Sequence, residues 1–183
     1  MAPPAPDLAR PDLSARPFKL RNGLVCLIRP TRPGDKPKIV RAFGALGEDA
    51  RYNRFLGHKR DVTPAELKRI TEIDFSRDCA FLATIGKGED EIVIGGASFY
   101  ALDAATPPEC AEVAFTIEED FQGQGLATQL MRRLIESARV VGVGRFEAEV
   151  LATNVGMLTV FSRSGLPVER DLDEGVVHVE MKL

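Results

Sequence analysis

The chain has no tryptophan, two histidines, two tyrosines and three cysteines in 183 residues, and each scarcity removes a class of chemistry. Cys26, Cys79 and Cys110 stand singly in apolar, strand-like segments, and His58 and His178 lie far apart. With no Cys-x-x-Cys or His-x-x-x-His spacing, the expectation is no bound metal and buried free thiols in a reducing compartment. Cys110 is kept as a reactive candidate because it opens the stretch singled out below. No apolar run approaches the roughly 20 residues that cross a bilayer, so no membrane partner is expected. A net charge of −3 gives no general attraction for nucleic acid. The first residues are rich in Pro and Ala and have no apolar signal-peptide core, so 1–22 are expected to be a disordered leader and 23–183 one domain, in the cytoplasm.

With 44% hydrophobic and 28% charged residues, the remainder reads as a globular α/β chain. Val25 to Arg29 is a short strand stopped by Pro30. Lys36 to Leu46 places Ile39, Val40, Phe43 and Leu46 at helical spacing. The following segment to Val62 mixes Tyr52 and Phe55 with Arg51, Arg54, Lys59 and Arg60. It is either a solvated connection or a substrate-side flap. Thr63-Pro64-Ala65-Glu66 is a capping box with proline at the first helical position. From Cys79 the period changes: Cys79 to Ile85 and Glu91 to Tyr100 form a hairpin, with Gly95-Gly96 marking a bulge or a close backbone approach.

Cys110 to Ala138 organises the rest. It reads as an apolar strand, a short acidic turn (Glu118 to Asp120), a glycine loop (Gln122 to Gly125) and an amphipathic helix. Leu126, Leu130, Met131, Leu134, Ile135 and Ala138 form that helix's inner face, with Arg132, Arg133, Glu136 and Arg139 outside. Gly123 and Gly125 let backbone N–H groups approach an anion just where the helix presents its unpaired amides. The loop lacks the Lys-Ser/Thr pair of a nucleoside triphosphate site and does not open a dinucleotide-binding unit. Arg145 to Leu151 is a further strand. Asn154 to Ser164 is a last helix with Met157, Leu158 and Phe161 inward, and Val168 to Asp171 and Val176 to Leu183 close the chain as a strand pair.

A strand followed by Gln-x-x-Gly-x-Ala at a helix start resembles the acyl-CoA pyrophosphate loop of the GNAT superfamily of N-acyltransferases, and the order β-α-α-β-β-β-α-β-α-β-β matches that superfamily from Val25 onward. RYNRFLG and TPAELKRITEIDFSRDCAFLAT further resemble the bacterial protein-lysine acetyltransferases, whose GNAT domain is often joined to an acyl-CoA synthetase-like or nucleotide-sensing domain. The resemblance implies a single GNAT domain with a central mixed, mostly antiparallel sheet flanked by helices. It also implies acetyl-CoA as cosubstrate, a protein lysine or a small amine as acceptor, and a homodimer through the C-terminal strands. Phe115, Thr116 and Ile117 would hold the pantetheine arm. Gln122, Gly123, Gln124, Gly125, Leu126 and Ala127 would hold the pyrophosphate, and Asn154 would contact CoA.

Acyl transfer to an amine needs a base, because an ammonium has no lone pair. Glu112 stands in the apolar strand CAEVAFTI, where loss of water would make it a stronger base, and the resemblance implies a catalytic glutamate at this position. Glu149 and Glu147 on the neighbouring strand are the alternatives. Many relatives carry a tyrosine seven residues after the asparagine to protonate the leaving thiolate, and here that position is Phe161. Ser162 and Ser164 are the nearby hydroxyls. A non-catalytic acyl-CoA sensor is the reading from another class.

Overall fold

The computed structural model describes residues 10–48 and 61–183. Eight strands form one sheet in the order β1-β2-β3-β4-β5-β6-β8-β7. They are β1 (Arg16–Lys19), β2 (Val25–Pro30), β3 (Cys79–Ile85), β4 (Ile92–Ala101), β5 (Cys110–Ile117), β6 (Arg145–Leu151), β7 (Val168–Asp173) and β8 (Val176–Lys182). All neighbours run antiparallel except β5 and β6, which are parallel and pair only through Cys110, Ala111 and Glu112 opposite Arg145, Phe146 and Glu147. Beyond Glu112 the two strands part.

Four α-helices lie among the described residues: α1 (Lys36–Ala45), α2 (Pro64–Thr71), α3 (Leu126–Val141) and α4 (Val155–Ser162). Alternation along the strands gives the sheet two apolar faces. Phe81, Phe99, Val113, Phe146, Ala148 and Val150 pack with Leu126, Leu130 and Leu134 of α3 and Phe161 of α4. The opposite face is covered over β3 and β4 by α1 and α2. There Phe43, Leu46 and Val62 form a small second cluster. The expected capping box starts α2: Thr63 Oγ1 accepts from the Glu66 amide at 3.3 Å while the Thr63 amide donates to Glu66 Oε2 at 2.9 Å.

Three expectations are corrected. The stretch taken as a loose leader contains β1, which pairs with β2, and Leu20, which is 2% exposed. Only residues 1–9 of it lie outside the described residues. Arg133, placed on the solvated face of α3, is 1% exposed. Its guanidinium lies 4.6 Å from the centre of the Phe81 ring and donates to the carbonyls of Asp12 and Ser14, so the N-terminal segment covers it. The acidic turn is a 3-10 turn displaced to Glu119–Phe121. The flap reading of the segment after Glu48 falls on residues 49–60, outside the described residues.

Both readings of the glycine pair hold. The β3–β4 register shifts between Ala83 and Thr84, opposite Gly95 and Val93. A Cβ at Gly95 would meet the Thr116 carbonyl at 3.0 Å and the Ile117 Cδ1 at 2.8 Å, so only glycine lets β4 lie this close to β5 here.

Candidate active site

Where β5 and β6 part, a cleft of about 770 Å³ opens between them and runs to the start of α3 and along α4. From Val113 onward β5 has lost β6 as a ladder partner, so its backbone on that side is available to a ligand. Gly123 (φ 69°) and Gly125 (φ 86°) both take left-handed backbone that favours glycine. Gly125 caps α3, so the unpaired amides of the first helical turn and the positive end of the helix dipole face the cleft. This arrangement can hold a phosphate. Asn154 caps α4, its Oδ1 accepting from the Met157 amide at 3.1 Å, and it lines the same cleft.

The cleft wall includes Phe115, Thr116, Ile117, Gln122, Gly123, Gly125, Leu126, Ala127 and Asn154. Gln124 is the exception among the expected cofactor residues. Its side chain accepts from the Asn22 amide at 2.9 Å and its carbonyl from the Arg21 amide at 3.3 Å, which ties the loop to the segment after β1. Three arginines line the cleft that the sequence did not single out: Arg21, Arg132 and Arg163. Arg21 lay in the presumed leader and Arg132 on the presumed solvated face. Their only sequence signal was positive charge near a loop fit for phosphate.

On the other face of the sheet, under α1 and α2, lies a second cavity of about 300 Å³. Its walls are mostly apolar, with Ile39, Phe43, Leu46 and Ile70 from the helices and Leu82 and Ile94 from the sheet. Glu112, Ala114, Thr116 and Glu118 line it from β5 and its end, and Glu112, Ala114 and Thr116 also line the cleft. The two cavities therefore meet across this part of β5.

The expectation of a desolvated Glu112 is not met. The residue is exposed, because α1 and α2 cover the sheet over β3 and β4 and leave this end of β5 open. Glu149 is exposed too and lines the cleft, whereas Glu147 is half-buried and engaged. The Cys110 thiol and the Arg145 guanidinium, 3.0 Å away, hold the Glu147 carboxyl below the usual carboxylate range even though burial opposes them. Burial and the Glu147 carboxylate push the Cys110 thiol up to about 12, which removes it as a nucleophile. Glu147, His178 and Glu180 bring ligand atoms within 4.8 Å of one another, and the Arg145 guanidinium already sits against both carboxylates.

Phe161 is 1% exposed, lines the cleft and meets the Phe115 ring edge-on with centroids 5.8 Å apart. Neither of the two nearby serines lines the cleft. Ser162 Oγ donates to the Leu158 carbonyl, and Ser164 Oγ accepts from the Leu166 amide.

No described helix is long and apolar enough to cross a membrane. The family described as "Acetyltransferase (GNAT) domain" matches residues 26–167. The chain is 34% identical over 165 residues to "Acetyltransferase Pat" of Mycolicibacterium smegmatis, covering 90% of this chain and 48% of that protein. It is 34% identical over 161 residues to "Acetyltransferase PA5475" of Pseudomonas aeruginosa, covering 87% of this chain and 85% of the relative. It thus spans about half of the first relative and most of the second. Among solved structures, the GNAT domain of S. lividans PAT superposes with a TM-score of 0.82 at 30% identity, covering 92% of this chain and 97% of that one. A parted β5–β6 pair beside a glycine-capped helix, in a chain matched from Cys26 to Pro167, makes this protein a member of the GNAT acetyltransferase family.

Proposed function

We propose that the chain transfers an acetyl group from acetyl-CoA directly to the side-chain amine of a protein lysine, with Glu112 as the general base. The observation that carries this reading is the meeting of the two cavities at Glu112, Ala114 and Thr116. A cleft fit for a phosphate-bearing arm on one side and an apolar, acid-lined chamber on the other would bring a thioester and an amine together across one strand. The lysine acceptor is supported by the likeness to the protein named Pat and by the chamber's charge, in which the carboxylates of Glu66, Glu112 and Glu118 outnumber the single guanidinium of Arg69.

The amine, once neutral, attacks the thioester carbonyl carbon, and the C–S bond breaks with CoA leaving as thiolate. Glu112 takes the proton whose loss leaves the amine neutral, passes it to water, and takes the second N–H proton as the tetrahedral intermediate collapses. Exposure suits that role, because the carboxyl can pass its proton on to water and reset between turnovers. The unpaired backbone of β5 beyond Glu112 would supply N–H groups to the developing oxyanion. With Phe161 in place of a hydroxyl, the thiolate departs unprotonated. A thiol with a pKa near the ~8.5 of cysteine can do so.

The test is thiol release from acetyl-CoA in the presence of a lysine peptide, with free lysine and a panel of small amines as competing acceptors. Glu112→Gln should retain acetyl-CoA binding and lower turnover by about 10²- to 10⁴-fold. Full turnover in that variant removes Glu112 as the base. Release with small amines alone would replace the protein acceptor.

A further inference from the structure

In the glycine loop ahead of α3 the carbonyls and the amides are used differently. The Gly123 carbonyl accepts from the Arg21 guanidinium at 3.0 Å, the Gln124 carbonyl from the Arg21 amide at 3.3 Å and the Gly125 carbonyl from the Gln129 amide at 3.2 Å. The amides of Gly123, Gln124 and Gly125 have no acceptor among the described residues. The carbonyl and the N–H of one trans peptide point in opposite directions. Holding the Gly123 and Gln124 carbonyls therefore aims the Gln124 and Gly125 amides away from the residues that hold them. Consecutive free amides of this kind form a concave seat for an anion.

The holding residues belong to the turn between β1 and β2, which is itself braced. Leu20 is buried and its amide donates to the Leu24 carbonyl at 2.8 Å, while Asn22 Oδ1 accepts from the Leu24 amide at 3.0 Å. The Asn22 amide donates to Gln124 Oε1 at 2.9 Å, so the Gln124 side chain is directed to the turn and does not line the cleft. Arg21 does line it. A Cβ on Gly125 would stand 3.9 Å from Arg21 Nε, so the guanidinium spans the loop from Gly123 to the cap of α3. No carboxylate among the described residues pairs with Arg21, which leaves its charge to the cleft.

We propose that Arg21 and Gln124 are positioning residues for the pyrophosphate of acetyl-CoA: from the β1–β2 turn they lock the loop in the conformation whose amides seat the anion. This rests on the reading that the loop, rather than another part of the cleft, receives the pyrophosphate. It depends neither on the acceptor nor on Glu112.

The test is calorimetric titration of the full chain with CoA, with 3′-dephospho-CoA, which keeps the pyrophosphate, and with pantetheine, which carries no phosphate. At low salt Gln124→Leu should weaken CoA and 3′-dephospho-CoA by the same factor, about three- to tenfold, the size of one neutral hydrogen bond, although it removes no charge and lies outside the cleft. Arg21→Met should weaken both by about tenfold or more, and Arg21→Lys, which can still donate to the Gly123 carbonyl, by less. In steady state Gln124→Leu and Arg21→Met should raise the KM for acetyl-CoA and leave kcat at saturation nearly unchanged, which a general loss of structure would not do. Wild-type affinity in Gln124→Leu overturns the proposal. So does a loss in Arg21→Met confined to CoA, which would make Arg21 a contact of the 3′-phosphate alone. A fall in kcat with an unchanged KM would reduce the turn to a brace of the fold and also overturn it. If wild type holds 3′-dephospho-CoA no more tightly than pantetheine, the reading beneath the proposal fails, and the proposal with it.

Discussion

Glu112 and Glu147 are the last residues at which β5 and β6 lie opposite each other in register. Register partners share a face, so two carboxylates stand side by side at the point where the sheet opens. Their surroundings separate them. Glu147 is bonded to Arg145 and Cys110, and Glu112 is exposed beside both cavities.

Paired substitutions should expose that difference. Glu112→Gln is expected to remove turnover while sparing acetyl-CoA binding. Glu147→Gln is expected to change kcat by less than about threefold and to lower the melting temperature only slightly, because Arg145 loses the nearer of its two carboxylates and keeps Glu180. Steady-state rates beside thermal melts of the two variants check this. A rate collapse in Glu147→Gln would move the base to the neighbouring strand.

Gly95 and Gly123 should fail in different ways as alanines. At Gly95 the new Cβ would press on the Thr116 carbonyl, 3.0 Å away, at the point where the cavities meet. Overpacking of this kind costs about 1–3 kcal/mol and displaces β5, so both the melting temperature and turnover should fall. At Gly123 nothing lies within 4 Å, and only the left-handed backbone (φ 69°) resists a side chain. That strain is about 1–2 kcal/mol, and its main effect should be weaker acetyl-CoA binding by titration with a smaller change in melting temperature.

Much of this was legible in the sequence because local rules and tertiary packing agree. The capping box at Thr63, the glycine-capped start of α3 and the asparagine cap of α4 are local signals, and each helix begins where its signal stands. The misses share a cause. Four residues, RPFK, form β1 only because β2 offers an edge, which no short-range pattern encodes. Arg133 was sorted by its charge, and its burial depends on Phe81 and on a segment about 120 residues earlier in the chain. Glu112 is correctly read from the sequence as a residue of the apolar strand β5, but the cover over its face comes from α1 and α2, and Glu118 is read as part of the turn. The expected desolvation consequently falls on Glu118.

The arginines of the cleft predict salt-sensitive cofactor binding. Arg132 and Arg163 are exposed at its rim, and Arg21 donates to the Gly123 carbonyl at 3.0 Å. A CoA-type ligand carries several phosphate charges, so Arg132→Met and Arg163→Met should each weaken acetyl-CoA binding by about three- to tenfold at low salt and flatten its dependence on ionic strength. Titrations at two salt concentrations decide it. An unchanged salt dependence in both variants would place the phosphates elsewhere.

The ion network behind α1 predicts how the chamber responds to acid. Arg29 grips Asp35 with two hydrogen bonds of 2.7 and 2.8 Å and reaches Glu91 at 3.1 Å, and Lys38 of α1 closes on the same Glu91. These groups join β2, the turn before α1, α1 itself and the start of β4, so they hold one wall of the chamber against the sheet. Burial would push the Glu91 carboxyl up, but Arg29 and Lys38 outweigh it and bring it down to about 2. The unfolded chain takes up that proton near the ordinary value of 4.5, so between these values the unfolded state binds more protons than the folded one. The stabilisation from Glu91 is therefore complete above pH 4.5, falls as the pH drops through the window and is gone below about 2. Glu91→Gln should lower stability at neutral pH by about 3 kcal/mol, since Arg29 stays buried with one carboxylate fewer. It should also flatten the stability profile between pH 4.5 and 2, which denaturant titrations across that range would measure. A variant as stable as wild type at pH 7, with the same acid slope, would show that the network does not hold α1.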